Sequence, residues 1–308
     1  MKTLALKVAV DTYRGTLEGV PRLVDLFEKH HLRATFFFSL GPDTSGKAIK
    51  RVFRKGFVKK VLSASPAASY GFRTMLYGTL LPAPDIGGRA ETVARMREVA
   101  AAGHSVGIHA WDHIDWHDNL PRTPRAEIEA VVMKEHARFR EIFGRPAAFQ
   151  AAPGWTATPL SVEVQEAHGI IATSDTRGGG PFHALRADGT PSKVLEIPST
   201  LPTLDELLAL PLRGAGTRAE RACEVLRVGV KEGLHVHSIH TEIEGATTFA
   251  APFESLLAAW KNDGVEFLTF EELCRPLLSA GTSPVKALSW ATLPGRATPV
   301  ATGASFAK

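Results

Sequence analysis

Short apolar runs alternate with stretches of helical periodicity along nearly the whole chain. Residues 4–10, 34–39, 147–151, 170–174, 194–197, 235–240 and 265–268, with a further run ending at His109, read as short strands. Between them, apolar positions three and four apart predict helices over 18–31, 89–102, 124–143, 160–168, 203–210, 217–232, 252–262 and 270–278. Pro21 suits a first helical turn, and Gly103, Gly144 and Gly169 suit helix ends. Strand followed by helix about seven times predicts an α/β architecture, a parallel sheet closed or nearly closed into a (β/α) barrel over residues 1–278.

Two segments depart from that rhythm. Residues 44–84 hold no acidic residue, yet carry Lys47, Lys50, Arg51, Arg54, Lys55, Lys59, Lys60 and Arg73, interleaved with apolar side chains such as Phe53 and Phe57. A basic amphipathic insertion of this kind suits an anionic membrane surface, the plainer reading being a solvated hairpin packed on the barrel. No base-reading module accompanies it, so nucleic acid is not the expected partner. Residues 279–308 are rich in Gly, Pro, Ser, Thr and Ala and read as an irregular C-terminal tail.

In parallel barrels, chemistry gathers at the C-terminal ends of strands. Asp11, His109, Pro153-Gly154-Trp155, Asp175 and His240 each fall just after a run read as strand. His109 and His113 are four apart and share a face if the chain turns helical there. Two imidazoles on one face make half of a metal site, which a carboxylate completes, and Asp11 is the nearest candidate. Among twelve histidines such spacing arises readily by chance. The coincidence of five capable segments at five strand ends is what favours a metal site.

The net charge of +4 is too small to imply a polyanionic partner. Cys223 and Cys274 lie far apart and outside any ligand-spaced motif, which fits a reducing compartment. Lys7 and Asp11 interrupt the first apolar run too early for a signal peptide, and no run is long enough for a membrane span. The expectation is a soluble or peripheral cytoplasmic protein.

Eight segments, in order, carry a family likeness: Val10-Asp-Thr-Tyr-Arg-Gly-Thr16, Glu18-Gly-Val-Pro-Arg-Leu23, Phe37-Phe-Ser-Leu-Gly-Pro-Asp43, Gly107-Ile-His-Ala-Trp-Asp-His113, Ala152-Pro-Gly-Trp155, Ser174-Asp-Thr-Arg-Gly178, Ile197-Pro-Ser-Thr-Leu-Pro-Thr203 and Ile239-His-Thr-Glu-Ile-Glu-Gly245. Over roughly residues 4 to 275 the chain resembles the polysaccharide deacetylase family, metal-dependent hydrolases that take acyl groups off amino sugars. The resemblance implies a distorted, seven-stranded (β/α) barrel bearing the basic insertion. It also implies the branch that removes formate from 4-deoxy-4-formamido-L-arabinose linked to undecaprenyl phosphate, a step towards modified lipid A and resistance to cationic peptides.

Carried over residue by residue, the resemblance makes Asp11, His109 and His113 the ligands of one divalent ion, whether zinc, cobalt or manganese. It makes His240 the acid that protonates the leaving amine, with Asp175 orienting it. Tyr13, Arg14, Pro153, Gly154, Trp155 and Arg177 become candidates for substrate contact. The branch reads Asp-Val-Asp where this chain reads Ala9-Val10-Asp11, so the carboxylate expected to act as general base is missing. The family's usual arginine in the third motif is also missing, its place taken by the run from Gln150 to Trp155. Ala9 reads as an inactivating substitution introduced into an otherwise intact enzyme, the alternative being a naturally inactive relative. The competing expectations are a deacylase of another N-acyl sugar or amide, and a non-catalytic binder of sugar lipids. A lipid-linked substrate places the protein at the cytoplasmic face of the bacterial inner membrane, where Lys47, Lys50, Arg51, Phe53, Arg54, Lys55, Phe57, Lys59 and Lys60 would meet the bilayer.

Overall fold

The computed structural model describes residues 1–51 and 71–304. The chain opens with β1 (Lys2–Val10), α1 (Val20–Lys29), β2 (Thr35–Ser39) and α2 (Ala90–Ala101). It continues through β3 (Ser105–Ala110), α3 (His113–Asn119), α4 (Arg125–Phe143), β4 (Phe149–Gln150), α5 (Pro159–Ala167) and β5 (Ala172–Thr173). Then come β6 (Phe182–Leu185), β7 (Pro191–Glu196), α6 (Leu204–Leu208), α7 (Arg218–Gly229) and β8 (Gly233–His240). It closes with α8 (Ala250–Asn262), β9 (Glu266–Leu268), α9 (Phe270–Ala280), β10 (Val285–Ala291) and β11 (Val300–Ala304).

Seven parallel strands run in the order β7-β5-β4-β3-β2-β1-β8 and curl into the expected distorted barrel. No ladder joins β7 to β8 among the described residues. The seam is closed instead by Thr200 and Leu201, whose amides both donate to the Val236 carbonyl. β9 borrows the lower half of one edge of β1, opposite Thr3–Ala5, while β2 takes the upper half, opposite Lys7–Val10.

Period-two alternation along β1 sorts its side chains into two environments. Leu4, Leu6, Val8 and Val10 pack outward with Leu23 and Phe27 of α1 and with Phe36 and Phe38 of β2. Each such phenyl or leucyl group contributes about 1.5–3 kcal/mol by leaving water. Ala5, Lys7, Ala9 and then Asp11 point inward. At the bottom, Ala5, Phe37, Phe149 and Val236 are plugged by Phe270, Leu273 and Cys274 of α9. The Phe37 and Phe270 rings meet edge to face at 5.3 Å. Thr269 and Glu272 form a capping box that fixes the start of α9 beneath the barrel. With its floor dry and closed, the barrel leaves the upper strand ends for polar chemistry. Cys223 and Cys274 are free and buried, and burial pushes both thiols up to about 12, as befits inert core residues.

The tail corrects its reading as irregular. β10 pairs in parallel with β6, and β11 returns antiparallel to β10, so the chain beyond the last expected helix adds two strands to the sheet. β6 and β10 lie about a hundred residues apart and share only a short ladder, which hides their pairing from local pattern. Within the insertion, Ser45–Arg51 forms a 3₁₀ helix. Phe53, Arg54, Lys55, Phe57, Lys59 and Lys60 lie outside the described residues, as do the side chains of Lys50 and Arg51.

Candidate metal centre and acid–base site

Asp11 follows the last residue of β1, and His109 is the penultimate residue of β3. His113 begins α3 rather than sharing a helical face with His109. The two imidazoles converge because β3 ends, Asp112 caps the new helix by accepting from the Ile114 and Asp115 amides, and the chain turns back over the strand end. Their ring centroids stand 5.3 Å apart. His109 Nε2 lies 3.1 Å from Asp11 Oδ1, and His113 Nε2 lies 3.6 Å from Asp11 Oδ2. The three ligand atoms all fall within 4.8 Å of one another, and Asp11 and His109 are buried.

The hydrogen bonding shows what this arrangement fits. His109 Nδ1 faces the Ala151 carbonyl, which only accepts, so Nδ1 donates there and Nε2 is the nitrogen turned towards Asp11. Nε2 and Asp11 Oδ1 face each other across a buried gap, and Oδ1 has no hydrogen-bond donor among the described residues. A cation satisfies all of these atoms at once. Burial works against the charge on Asp11, but His113 and His109 outweigh it and hold the carboxyl well below the usual carboxylate range.

His240 ends β8 beside Ala9, with which it is paired in register. Asp175 does not orient it. Both Asp175 oxygens are taken, Oδ1 by the Ala152 amide at 2.6 Å and Oδ2 by Gln165 Nε2 at 2.8 Å. Burial and the nearby Glu196 push Asp175 up to about 7. The carboxylate facing His240 is Asp205, the second residue of α6, at 3.6 Å from Nδ1. Burial alone depresses the His240 imidazolium, but Asp205, Asp11, Glu244 and Glu242 together raise its pKa above the ordinary value. An acid so held stays protonated to higher pH. In a catalytically competent background, Asp205→Asn therefore moves the alkaline limb of kcat/KM to lower pH, whereas Asp175→Asn leaves it in place. A pH profile in which only Asp175→Asn shifts that limb would restore the original assignment.

Trp155 is buried beyond the end of β4, with the Arg177 and Arg296 guanidiniums against its ring. Its φ of 53° and the 59° of Gly154 make a tight turn after Pro153, and Trp155 Nε1 donates to Ser199 Oγ at 2.9 Å. A Cβ on Gly154 would stand 2.6 Å from the His117 ring, so only glycine lets this turn pack against α3. The other candidates for substrate contact are less available. The Tyr13 hydroxyl donates to Glu91, and Arg14 pairs with Glu18. Arg177 is buried and gives Nε to Ser199 O, Nη1 to Glu206 and Nη2 to Leu201 O. It holds the loop between β7 and α6, which corrects its reading as a substrate clamp.

Lys7 is the residue the strand pattern concealed. It reads as a polar break in an apolar run, yet it points inward below Ala9 and donates to Ser174 O at 2.6 Å. Burial pulls it down to about 8 against the opposing pull of Asp175 and Glu196. In place of the family's third-motif arginine, Gln150 reaches Glu135 on α4.

Residues 11–172 match the polysaccharide deacetylase family model. The chain belongs to that family. A protein of Shewanella sediminis that bears the name 4-deoxy-4-formamido-L-arabinose-phosphoundecaprenol deformylase is 34% identical over 270 residues, covering 88% of this chain and 85% of its own. A protein of the same name from Wigglesworthia glossinidia brevipalpis is 27% identical over 283 residues, covering 92% and 96%. Among solved structures, a Mycobacterium smegmatis protein described as a polysaccharide deacetylase shares the fold. Its TM-score is 0.60 at 16% identity, over 95% of this chain and 96% of that one.

Proposed function

We propose that the chain is a metal-dependent deformylase for 4-deoxy-4-formamido-L-arabinose linked to undecaprenyl phosphate, impaired by Ala9 at the position of the general base. The observation that carries this reading is the convergence of Asp11, His109 and His113 at the barrel mouth, with an imidazole acid one strand away. The two curated relatives carry the name of that activity.

Asp11, His109 and His113 would hold the ion, with His109 oriented by its bond to Ala151 O. A divalent ion there supplies Lewis acidity, polarising an amide carbonyl and acidifying water. His240 keeps Nδ1 towards Asp205, leaving Nε2 to carry the proton to the departing amine, a poor leaving group as an anion. Trp155 and Pro153 shape the pocket wall. Ala9 contributes no proton acceptor.

Membrane contact follows from the substrate's lipid tail. No helix among the described residues is long and apolar enough to cross a bilayer, so the proposal is peripheral attachment at the cytoplasmic face of the inner membrane. In the described part of the insertion, Phe72 and Leu80 are 75% and 80% exposed. The start of the insertion is tied to the metal site, since Thr44 Oγ1 donates to Asp112 and Lys47 lies 3.8 Å from the same carboxylate. Binding to anionic liposomes is expected to weaken with salt and with charge reversal across residues 47–60; salt-independent binding would argue against this anchor.

The acyl group released separates the readings. The Ala9→Asp chain is expected to liberate formate from the lipid-linked formamido sugar and little acetate from its acetamido counterpart. Acetate in preference to formate would move the assignment to another N-acyl sugar. Tight glycolipid binding with neither product would favour the non-catalytic binder, which Ala9 itself supports.

A further inference from the structure

Beyond the last expected helix, the chain between β10 and β11 returns to the barrel mouth. Arg296 Nη1 lies 3.3 Å from Glu206 Oε1, and its guanidinium stands 4.7 Å from the centre of the Trp155 ring. Two residues on, Thr298 Oγ1 lies 3.4 Å from His117 Nε2. His117 packs edge-on to His113, with ring centroids 6.2 Å apart. At the other end, Glu206 adjoins Asp205, the partner of His240. Residues 296–298 thus span from the acid side of the site to the metal side.

The charges at this crossing do not balance. Glu206 Oε1 serves two guanidiniums, Arg177 at 2.6 Å and Arg296 at 3.3 Å. Arg177 places a hydrogen bond from each of its three nitrogens, whereas Arg296, with a side chain only 11% exposed, has a buried Nε without a partner among the described residues. The remaining nearby carboxylate, Asp205, faces His240. One positive charge and one unfilled donor are left between Glu206 and the Trp155 ring, where a monoanion with two acceptor oxygens would satisfy both.

We propose that Arg296 is a substrate-binding residue that receives the phosphodiester joining sugar to lipid. This rests on the deformylase reading for the identity of the sugar, but not for the presence of the anion subsite. The orientation it imposes puts the phosphate beside Trp155 and Arg296 and the formamido end towards Asp11 and His240.

Calorimetry with two soluble probes tests this on the chain as it stands, without turnover. One is the farnesyl phosphodiester of the formamido sugar, and the other is the uncharged farnesyl glycoside. The phosphodiester is expected to bind about 30-fold more tightly, as a charge-assisted pair at a buried site provides. Arg296→Ala should erase that preference while leaving affinity for the glycoside unchanged. Arg296→Lys, which keeps the charge and loses the planar fork, should keep a few-fold preference and guards against misfolding of the alanine variant. Equal weakening of both probes, or an undiminished preference in Arg296→Ala, overturns the proposal. So does equally tight, Arg296-dependent binding of glycerophosphoglycerol, which would make the site one for a phospholipid headgroup. Formate release by the Ala9→Asp chain is read separately. Its absence alongside an Arg296-dependent phosphate preference defeats the deformylase reading and spares this one.

Discussion

Ala9→Asp is expected to raise formate release by about 10²–10⁴-fold, the usual worth of general-base assistance, or roughly 3–5 kcal/mol of barrier. Position 9 is ready to receive the carboxylate. It lies at the barrel mouth two residues before Asp11 on the same face, it is 4% exposed, and it pairs in register with His240 on one side and Phe37 on the other. Below it on that face is Lys7, a buried cation able to keep an aspartate ionised where burial alone would protonate it. Metal content should not change, because Ala9 is not a ligand. The gain should appear in kcat with little change in KM, since the added group acts on the reacting water rather than on substrate binding. An unchanged rate, with metal and substrate both bound, would show that the missing carboxylate is not what limits this chain.

The second large effect is the loss of the ion. Asp11→Ala, His109→Ala and His113→Ala should each cut metal affinity by more than the 10–100-fold typical of removing an outer-shell partner. Turnover in the Ala9→Asp background should then fall to background. His117→Ala is the discriminating control. His117 continues the spacing His109, His113, His117 and packs against His113, but it leans on Gly154 and Thr298 and lies outside the ligand group. It should retain a full equivalent of metal. If His117→Ala empties the site and Asp11→Ala does not, a three-histidine centre replaces the one described here. Elemental analysis after gel filtration reads both outcomes.

The barrel was legible because β1, β2, β3 and β8 are strands of at least five residues that carry clustered or alternating apolar side chains, and because α1, α4 and α8 repeat at helical spacing. The candidate ligands were legible because two of them sit at the tips of long strands and the third opens the next helix. What escaped depended on distance. Asp205 reaches His240 from a helix thirty-five residues earlier in the chain, through a seam with no ladder among the described residues, so no spacing links the two. Asp175 stood at the expected strand end, but its oxygens were already committed to Ala152 and Gln165. Lys7 looked like an interruption because a strand pattern records polarity and cannot tell a buried ammonium from a solvated one. Arg296 was concealed by a composition of Gly, Pro, Thr and Ala that resembles disorder until β6 supplies a partner for β10.

The claim on which the rest depends is that one ion joins Asp11 to the two imidazoles. Anomalous diffraction at the zinc edge, from crystals of the zinc-loaded chain, locates it directly. The expected result is a single strong peak about 2.0–2.2 Å from an Asp11 oxygen, His109 Nε2 and His113 Nε2. Zinc bound only at other residues, with these three side chains bare, would contradict it.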